Sequence, residues 1–108
     1  MYDGFNARDI DAVLAAMTDD VDWPRAFKGG RVRGQEAVRD YWTHQWAEIN
    51  PRVDPLAITD RGDGHVDVEV HQVVRDLDGK LLGDGVVVHR YELRDGLVAR
   101  MDVEEPAS

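Results

Sequence analysis

"VVVHRYELRDGLVARMDVEE", residues 86–105, alternates apolar and polar positions on both sides of Arg94-Asp95-Gly96. A period of two residues places successive side chains on opposite faces of a strand. The Asp-Gly pair supplies the positive backbone angles that a tight hairpin demands. The stretch therefore predicts two antiparallel strands, and the length of their turn decides which residues meet. A two-residue turn, Asp95-Gly96, pairs Arg94 with Leu97 and sets His89 opposite Asp102. A three-residue turn, Arg94-Asp95-Gly96 with Gly96 closing a bulge, pairs Leu93 with Leu97 and sets His89 against Met101. The longer turn sorts the residues better. It gathers Val87, His89, Tyr91, Leu93, Leu97, Ala99, Met101 and Val103 on one face and leaves Arg90, Glu92, Arg100, Asp102 and Glu104 on the other. The expectation is the three-residue turn, with His89 and Tyr91 as the polar exceptions on an inner face.

The same grammar extends upstream. "RGDGH" and "DLDGK" also carry Asp-Gly turns, so three hairpins join strands at roughly 53–60, 65–75, 84–93 and 97–105 in an antiparallel meander. Pro55, which cannot donate to a ladder, suits only an edge strand. Within 65–75 the alternation separates Glu69, His71 and Val73 from Val66, Val68, Val70, Gln72 and Val74. Placing His71 beside His89 on the inner face leaves the valine set, with Val86 and Val88, as a second apolar face that needs another cover. A sheet from a second copy is the simplest cover, which predicts a homodimer through the convex sheet face. The alternative is that the valine face is the core and the face carrying His71 is wet.

The first half of the chain is helical. In "ARDIDAVLAAMTDDVDW", Ile10, Val13, Leu14 and Met17 recur at helical spacing, with Asp9 and Asp11 where the helix dipole favours acids. This helix is expected to end near "TDD", leaving Asp19, Asp20 and Asp22 as a solvated end. "VDWP" reads as a short strand stopped at Pro24, and "FKGGRVRG" as a glycine-rich connector, since it lacks the ending of a phosphate loop. A second helix in "QEAVRDYWTHQWAEI" carries a stripe of Val38, Tyr41, Trp42, Gln45 and Ile49, widened by Trp46. Helices followed by a meander define an α+β architecture.

Composition limits the function. A chain of 108 residues suits one domain, expected here to span 1–108, and is too short for a separate cofactor domain. A formal net charge of −9, with basic residues scattered among acids, argues against a nucleic-acid or anionic-membrane partner. The absence of cysteine removes disulfides, thiolate metal sites and a thiol nucleophile. No stretch reads as a signal peptide or membrane span, so a soluble, cytoplasmic protein is expected.

The order of these pieces resembles a known family. A helix containing "FNARD", then "TDDVDWP", a glycine-rich loop, "GQEAVRDYW" and a meander closing on "ELRDGLVARMDVEE" is similar to the nuclear transport factor 2-like superfamily. Within it, the resemblance is to the SnoaL-like domains, relatives of ketosteroid isomerase and limonene epoxide hydrolase, and it covers nearly the whole chain. It implies a cone-shaped fold in which a strongly curved sheet wraps around helices. It also implies an apolar cavity at the open end, with few polar groups, and dimerisation through the convex side of the sheet. His89 falls where ketosteroid isomerase has the protonated aspartic acid of its oxyanion hole. Trp23 falls at that enzyme's general base, and an indole cannot take a proton from carbon. Its oxyanion tyrosine falls at about Met1, one residue from Tyr2. The aspartate and arginine of the epoxide hydrolase fall at His71 and Glu69, and its second aspartate at Val103. Neither mechanism carries over.

What remains is a cavity with its own polar set. The candidate catalytic residues are His71, His89, Glu69 and Tyr91, and the candidate ligand-binding walls are Trp23, Phe27, Trp42, Met101 and Val103. Histidine titrates near neutral pH, so two on adjacent strands could serve as acid and base, with Glu69 orienting one of them. Such a site suits an isomerase, dehydratase or cyclase acting on a small apolar molecule, with no metal or organic cofactor expected. Two histidines and a carboxylate could also hold zinc, but no clustered ligand motif is present. A half-buried strand histidine can equally be a hydrogen-bonded core residue, and tryptophans commonly pack cores. The competing reading is therefore a non-catalytic ligand-binding or dimerisation module.

Overall fold

Asp95 and Gly96 both have positive φ, 54° and 80°, the pair of angles that a two-residue hairpin turn requires. The computed structural model describes residues 2–25 and 29–104. Its elements are α1 (Tyr2–Asn6), α2 (Ile10–Leu14), β1 (Met17–Pro24), β2 (Arg31–Arg33), α3 (Gln35–Glu48), β3 (Ile49–Asp60), β4 (His65–Asp76), β5 (Leu81–Arg94) and β6 (Leu97–Glu104). The strands form one curved sheet in the order β2-β1-β6-β5-β4-β3, with the helices on its inner side. The four-strand meander stands where the Asp-Gly turns predict it. This is the expected α+β architecture of the cone-shaped, nuclear transport factor 2-like kind.

The last hairpin has a shorter turn than expected. Arg94 pairs with Leu97, so the turn has two residues rather than the expected three. The register then shifts between Glu92 and Leu93, where Ala99 is the unpaired extra residue, and Tyr91 pairs with Met101 and His89 with Val103. A bulge in β6 thus restores the parity that the longer turn was invoked to supply. His89, Tyr91, Met101 and Val103 still share the inner face. Leu97 leaves it, and Val98, 7 % exposed, takes the core place.

β4 is the opposite case. His89 pairs with Val68, Tyr91 with Val66 and Val87 with Val70, whereas His71 pairs with Val86 and Glu69 with Val88. Directly paired residues share a face. The valine set is therefore the core, with Val70 fully buried, and His71 and Glu69 lie on the convex face. The expectation that His71 shares a hollow with His89 is corrected. The apolar row of β4 is claimed by the chain's own helices, and the need for a second sheet to cover it disappears with it. The convex face is instead laced with ion pairs. Arg90 bridges Asp67 at 3.0 Å and Glu104 at 2.8 Å, and Arg61 reaches the same Asp67 at 2.9 Å.

The N-terminal half is also less helical than its periodicity suggests. Asp9 caps α2 through the Ala12 amide, but the helix stops at Leu14 and Met17 opens β1, pairing in parallel with Val98. Met17 is buried all the same, so one apolar residue satisfies a helical and a strand pattern at once. Asp20 and Asp22 then belong to a strand and not a helix end. Asp20 bonds Arg94 at 2.5 Å and Asp22 bonds Arg100 at 3.0 Å. The glycine-rich connector contains β2, which pairs with β1.

Two side-chain amides fix the helices to the sheet. Asn6 donates to the Val53 carbonyl at 2.7 Å and accepts from the Val53 amide at 2.9 Å, tying α1 to β3. Gln35, in the first turn of α3, donates to the Leu14 and Met17 carbonyls at 3.2 and 3.0 Å. Between these ties an aromatic stack fills the interior. Trp42 meets Phe5 and Trp23 edge-on, with ring centroids 5.4 Å away in each case, and stacks on Trp46 at 5.8 Å.

Candidate functional site

The curved sheet and α3 do not close completely on each other. Between them lies a cavity of about 440 Å³ whose walls include Phe5, Trp23, Trp42, Val87, Met101 and Val103. That volume is in the range of small-molecule sites, which are typically apolar with a few placed polar groups.

Here the polar groups are Tyr2, His89 and Tyr91, all on the cavity wall. Strand alternation aims His89 and Tyr91 inward from β5, and α1, held by Asn6, brings Tyr2 over them. The Tyr2 hydroxyl lies 2.6 Å from that of Tyr91 and 3.0 Å from Nδ1 of His89, while Tyr91 is 3.4 Å from the same nitrogen. The Tyr2 ring also stacks on the imidazole at 5.9 Å.

Burial sets the charge of this cluster. It disfavours the imidazolium and pushes His89 down to about 4. It disfavours phenolate too, raising Tyr2 to about 12, with a smaller opposing effect from its bond to Tyr91. Tyr91 is likewise raised well above 10, first by burial and then by Tyr2. At neutral pH all three groups are uncharged.

Counting protons then assigns the tautomer. Tyr91 has only Tyr2 and His89 Nδ1 as polar partners among the described residues. Two arrangements give each phenol proton an acceptor at Nδ1 or on the other hydroxyl, and the one that uses the shorter contacts, 2.6 and 3.0 Å in place of 2.6 and 3.4 Å, runs from Tyr91 to the Tyr2 oxygen and from Tyr2 to Nδ1. Nδ1 is then an acceptor and Nε2 carries the hydrogen. That Nε2–H has no protein partner among the described residues, and it gives the cavity a neutral, pre-oriented donor.

At the mouth, charge is concentrated and internally compensated. Arg31 bonds Asp22 at 2.5 Å, Asp102 at 3.0 Å and the Met101 carbonyl at 2.6 Å. Arg100 bridges the same two aspartates, at 3.0 Å to Asp22 and 2.9 Å to Asp102. The bond from Arg100 holds Asp102 below the usual carboxylate range, with Arg31 adding to it. Asp102 lines the cavity but is a poor proton acceptor.

Of the candidate catalytic residues, the structure brings His89 and Tyr91 together and separates them from His71 and Glu69. His71 bonds Asp84 at 2.6 Å on the outside of the sheet. Of the candidate walls, Trp23, Trp42, Met101 and Val103 line the cavity, and Phe27 lies outside the described residues. Sequence reading missed Tyr2 as a member of the cluster, along with Phe5 and Arg31. For Tyr2 the signal was the family's oxyanion tyrosine, which falls one residue away. Among the described residues no group of three His, Cys, Asp or Glu is placed to hold a metal ion. No helix among them is long and apolar enough to cross a membrane.

The fold and this site define a class, small cone-shaped proteins with an open-ended, mostly apolar pocket that several aromatic rings help to wall. The family model described as "SnoaL-like domain" matches residues 1–101, and the chain belongs to that family. No curated protein matches the chain. Among similar solved structures is TerC, co-crystallized with polyporic acid, with 27% identity, a TM-score of 0.84 and coverage of 97% of this chain and 85% of TerC. An LEH-like epoxide hydrolase of Mycobacterium tuberculosis has 20% identity and a TM-score of 0.78, over 94% of this chain and 74% of that one. Rv0760c of Mycobacterium tuberculosis, solved in complex with estradiol-17β-hemisuccinate, has 20% identity and a TM-score of 0.80, over 94% and 85%.

Proposed function

We propose that this chain acts as a single SnoaL-like domain that binds a small, largely apolar molecule through one oxygen atom, held by the Nε2–H of His89. The observation that carries the reading is the neutral Tyr91–Tyr2–His89 relay on the wall of an aromatic cavity. A neutral donor in a dry site is well matched to a carbonyl, enol or phenol oxygen, and it strengthens as negative charge builds on that oxygen. The chemistry it supports is cofactor-free isomerisation, dehydration or cyclisation through an enolate. His89 serves there as an electrophile and not as a base, because an imidazole held near pH 4 takes up a proton poorly at neutrality.

A second reading, binding without turnover, is favoured by one specific feature. Asp102 is the one acidic residue bordering the cavity among the described residues, but it pairs with Arg90 of the convex face and is engaged by two arginines, so a proton acceptor for carbon chemistry has to come from the ligand or from water. Polyporic acid and estradiol-17β-hemisuccinate, bound by TerC and Rv0760c, are suitable probes. Titration of either against tryptophan fluorescence should saturate, and His89→Phe should weaken binding at least about tenfold, the order expected for one buried hydrogen bond. Equal affinity in the variant refutes the role given to His89. Turnover of a carbonyl ligand by the parent protein, lost in Tyr2→Phe, separates the enzyme from the binding module.

A further inference from the structure

A second hollow adjoins the first. It has a volume of about 280 Å³ and is lined by Tyr41, Gln45, Glu48, Ile49, Val74, Leu82 and Gly83. Tyr41 and Gln45 also line the main cavity, so they stand between the two. Gln45 donates to the Tyr41 hydroxyl at 2.8 Å, which makes the partition a hydrogen-bonded pair of side chains and not backbone.

On the sheet between the two hollows, β5 contributes no inward side chains. Gln72, which lines the main cavity, pairs with Gly85, and Val74, which lines the second hollow, pairs with Gly83. The inward positions of β5 therefore run Gly83, Gly85, Val87, His89. A Cβ added at Gly83 or at Gly85 would meet no atom within 4 Å. Two glycines in a strand interior cost stability relative to residues with side chains; here Gly83 borders the second hollow, and the exposed Gly85 leaves open space on the strand between the hollows. At its far end Leu82 is 54% exposed, an apolar side chain left in water beside an apolar hollow.

We propose that the two hollows are one elongated site, with the oxygen-bearing head of the ligand at His89 and an uncharged apolar tail lying over Gly85 and Gly83 beneath Tyr41 and Gln45. This deepens the reading above and rests on it, since His89 supplies the head-group end. Six residues of strand separate His89 from Gly83, so the site accepts a ligand about 20 Å long. Gly85 sets that length. The exposed carboxylate side chain of Glu48 on the rim of the second hollow excludes an anionic tail end.

The test uses methyl, hexyl and dodecyl 4-hydroxybenzoate, titrated against tryptophan fluorescence. Each methylene buried strengthens binding roughly threefold to fourfold, so the parent protein should prefer the dodecyl ester to the methyl ester by at least about a hundredfold. Gly85→Leu, at a position with no positive φ and open space around its Cα, should cut that preference at least about tenfold and leave the methyl ester unchanged. Gln45→Ala should widen the preference. An identical preference in the parent and in Gly85→Leu overturns the elongated site, as does a parent protein indifferent to tail length. The methyl ester's response to His89→Phe tests the head-group reading separately. A methyl ester indifferent to that change refutes the role of His89, while the tail series still reports on the groove.

Discussion

The hydroxyl of Tyr2, in the first helix, lies 2.6 Å from that of Tyr91, in the fifth strand, although 89 positions separate the two residues. The contact closes the cavity at one end and passes a proton direction on to His89. Removing the Tyr2 hydroxyl leaves Nδ1 with only the longer approach from Tyr91, at 3.4 Å. Tyr2→Phe should therefore cost about 1–2 kcal/mol in urea unfolding, the usual consequence of one buried hydrogen bond. Nitrogen-15 NMR should find the Nε2–H tautomer of His89 in the parent protein and a mixture in the variant. A parent imidazole protonated at Nδ1 would reverse the proton order assigned here.

Stability should fall on mild acidification because of His89. Its pKa is lowered by burial from 6.5 in the unfolded chain to about 4 in the folded one. Between those values the unfolded state binds a proton that the folded state refuses, so stability rises with pH across the window from 4 to 6.5 and is fully present above it. The loss between pH 7 and pH 4 should reach about 3 kcal/mol at most. His89→Phe should flatten the denaturation profile in that window. A slope unchanged by the substitution assigns the pH dependence elsewhere.

The two strand histidines should behave independently. His71 bonds Asp84 on the convex face, and its side chain is 39% exposed. His71→Ala should leave polyporic acid affinity within about twofold and stability within about 1 kcal/mol, as for other solvent-exposed polar pairs. A loss of binding as large as that of His89→Phe would show that the convex face takes part in the site.

Trp42 touches Phe5, Trp23 and Trp46 and is 2% exposed. Truncation at such a hub costs both transfer free energy and a cavity. Trp42→Ala should destabilise the fold by about 3–5 kcal/mol, measured by guanidinium denaturation. A loss below about 1 kcal/mol would mean that the aromatic stack collapses to fill the gap.

Most of the sheet is legible in the sequence because each Asp-Gly turn is a local signal. The inward aim of His89 and Tyr91 is legible too, though for a partly mistaken reason. A two-residue turn followed by the bulge at Ala99 gives the same parity as a three-residue turn. β4 defeats the same reasoning, since Val66 to Val74 on one side and His71 with Val73 on the other are both plausible inner faces. The question is settled by register across β5, which no short window contains. The Tyr2 contact is hidden for a related reason, as a hydrogen bond between residues 2 and 91 leaves no trace in spacing. Met17 shows the remaining limit. Its helical distance from Val13 and Leu14 is real, yet its burial comes from strand pairing with Val98.

The strand β3 forms one border of the sheet and carries Pro51 and Pro55 along its twelve residues, with a register shift just after Pro55. A long border strand ordinarily invites another chain to add to it and begin a fibre. Each proline removes an amide hydrogen from that border, and the shift bends what is left out of line. A newly made chain can therefore leave this border uncovered in a crowded solution without seeding a filament.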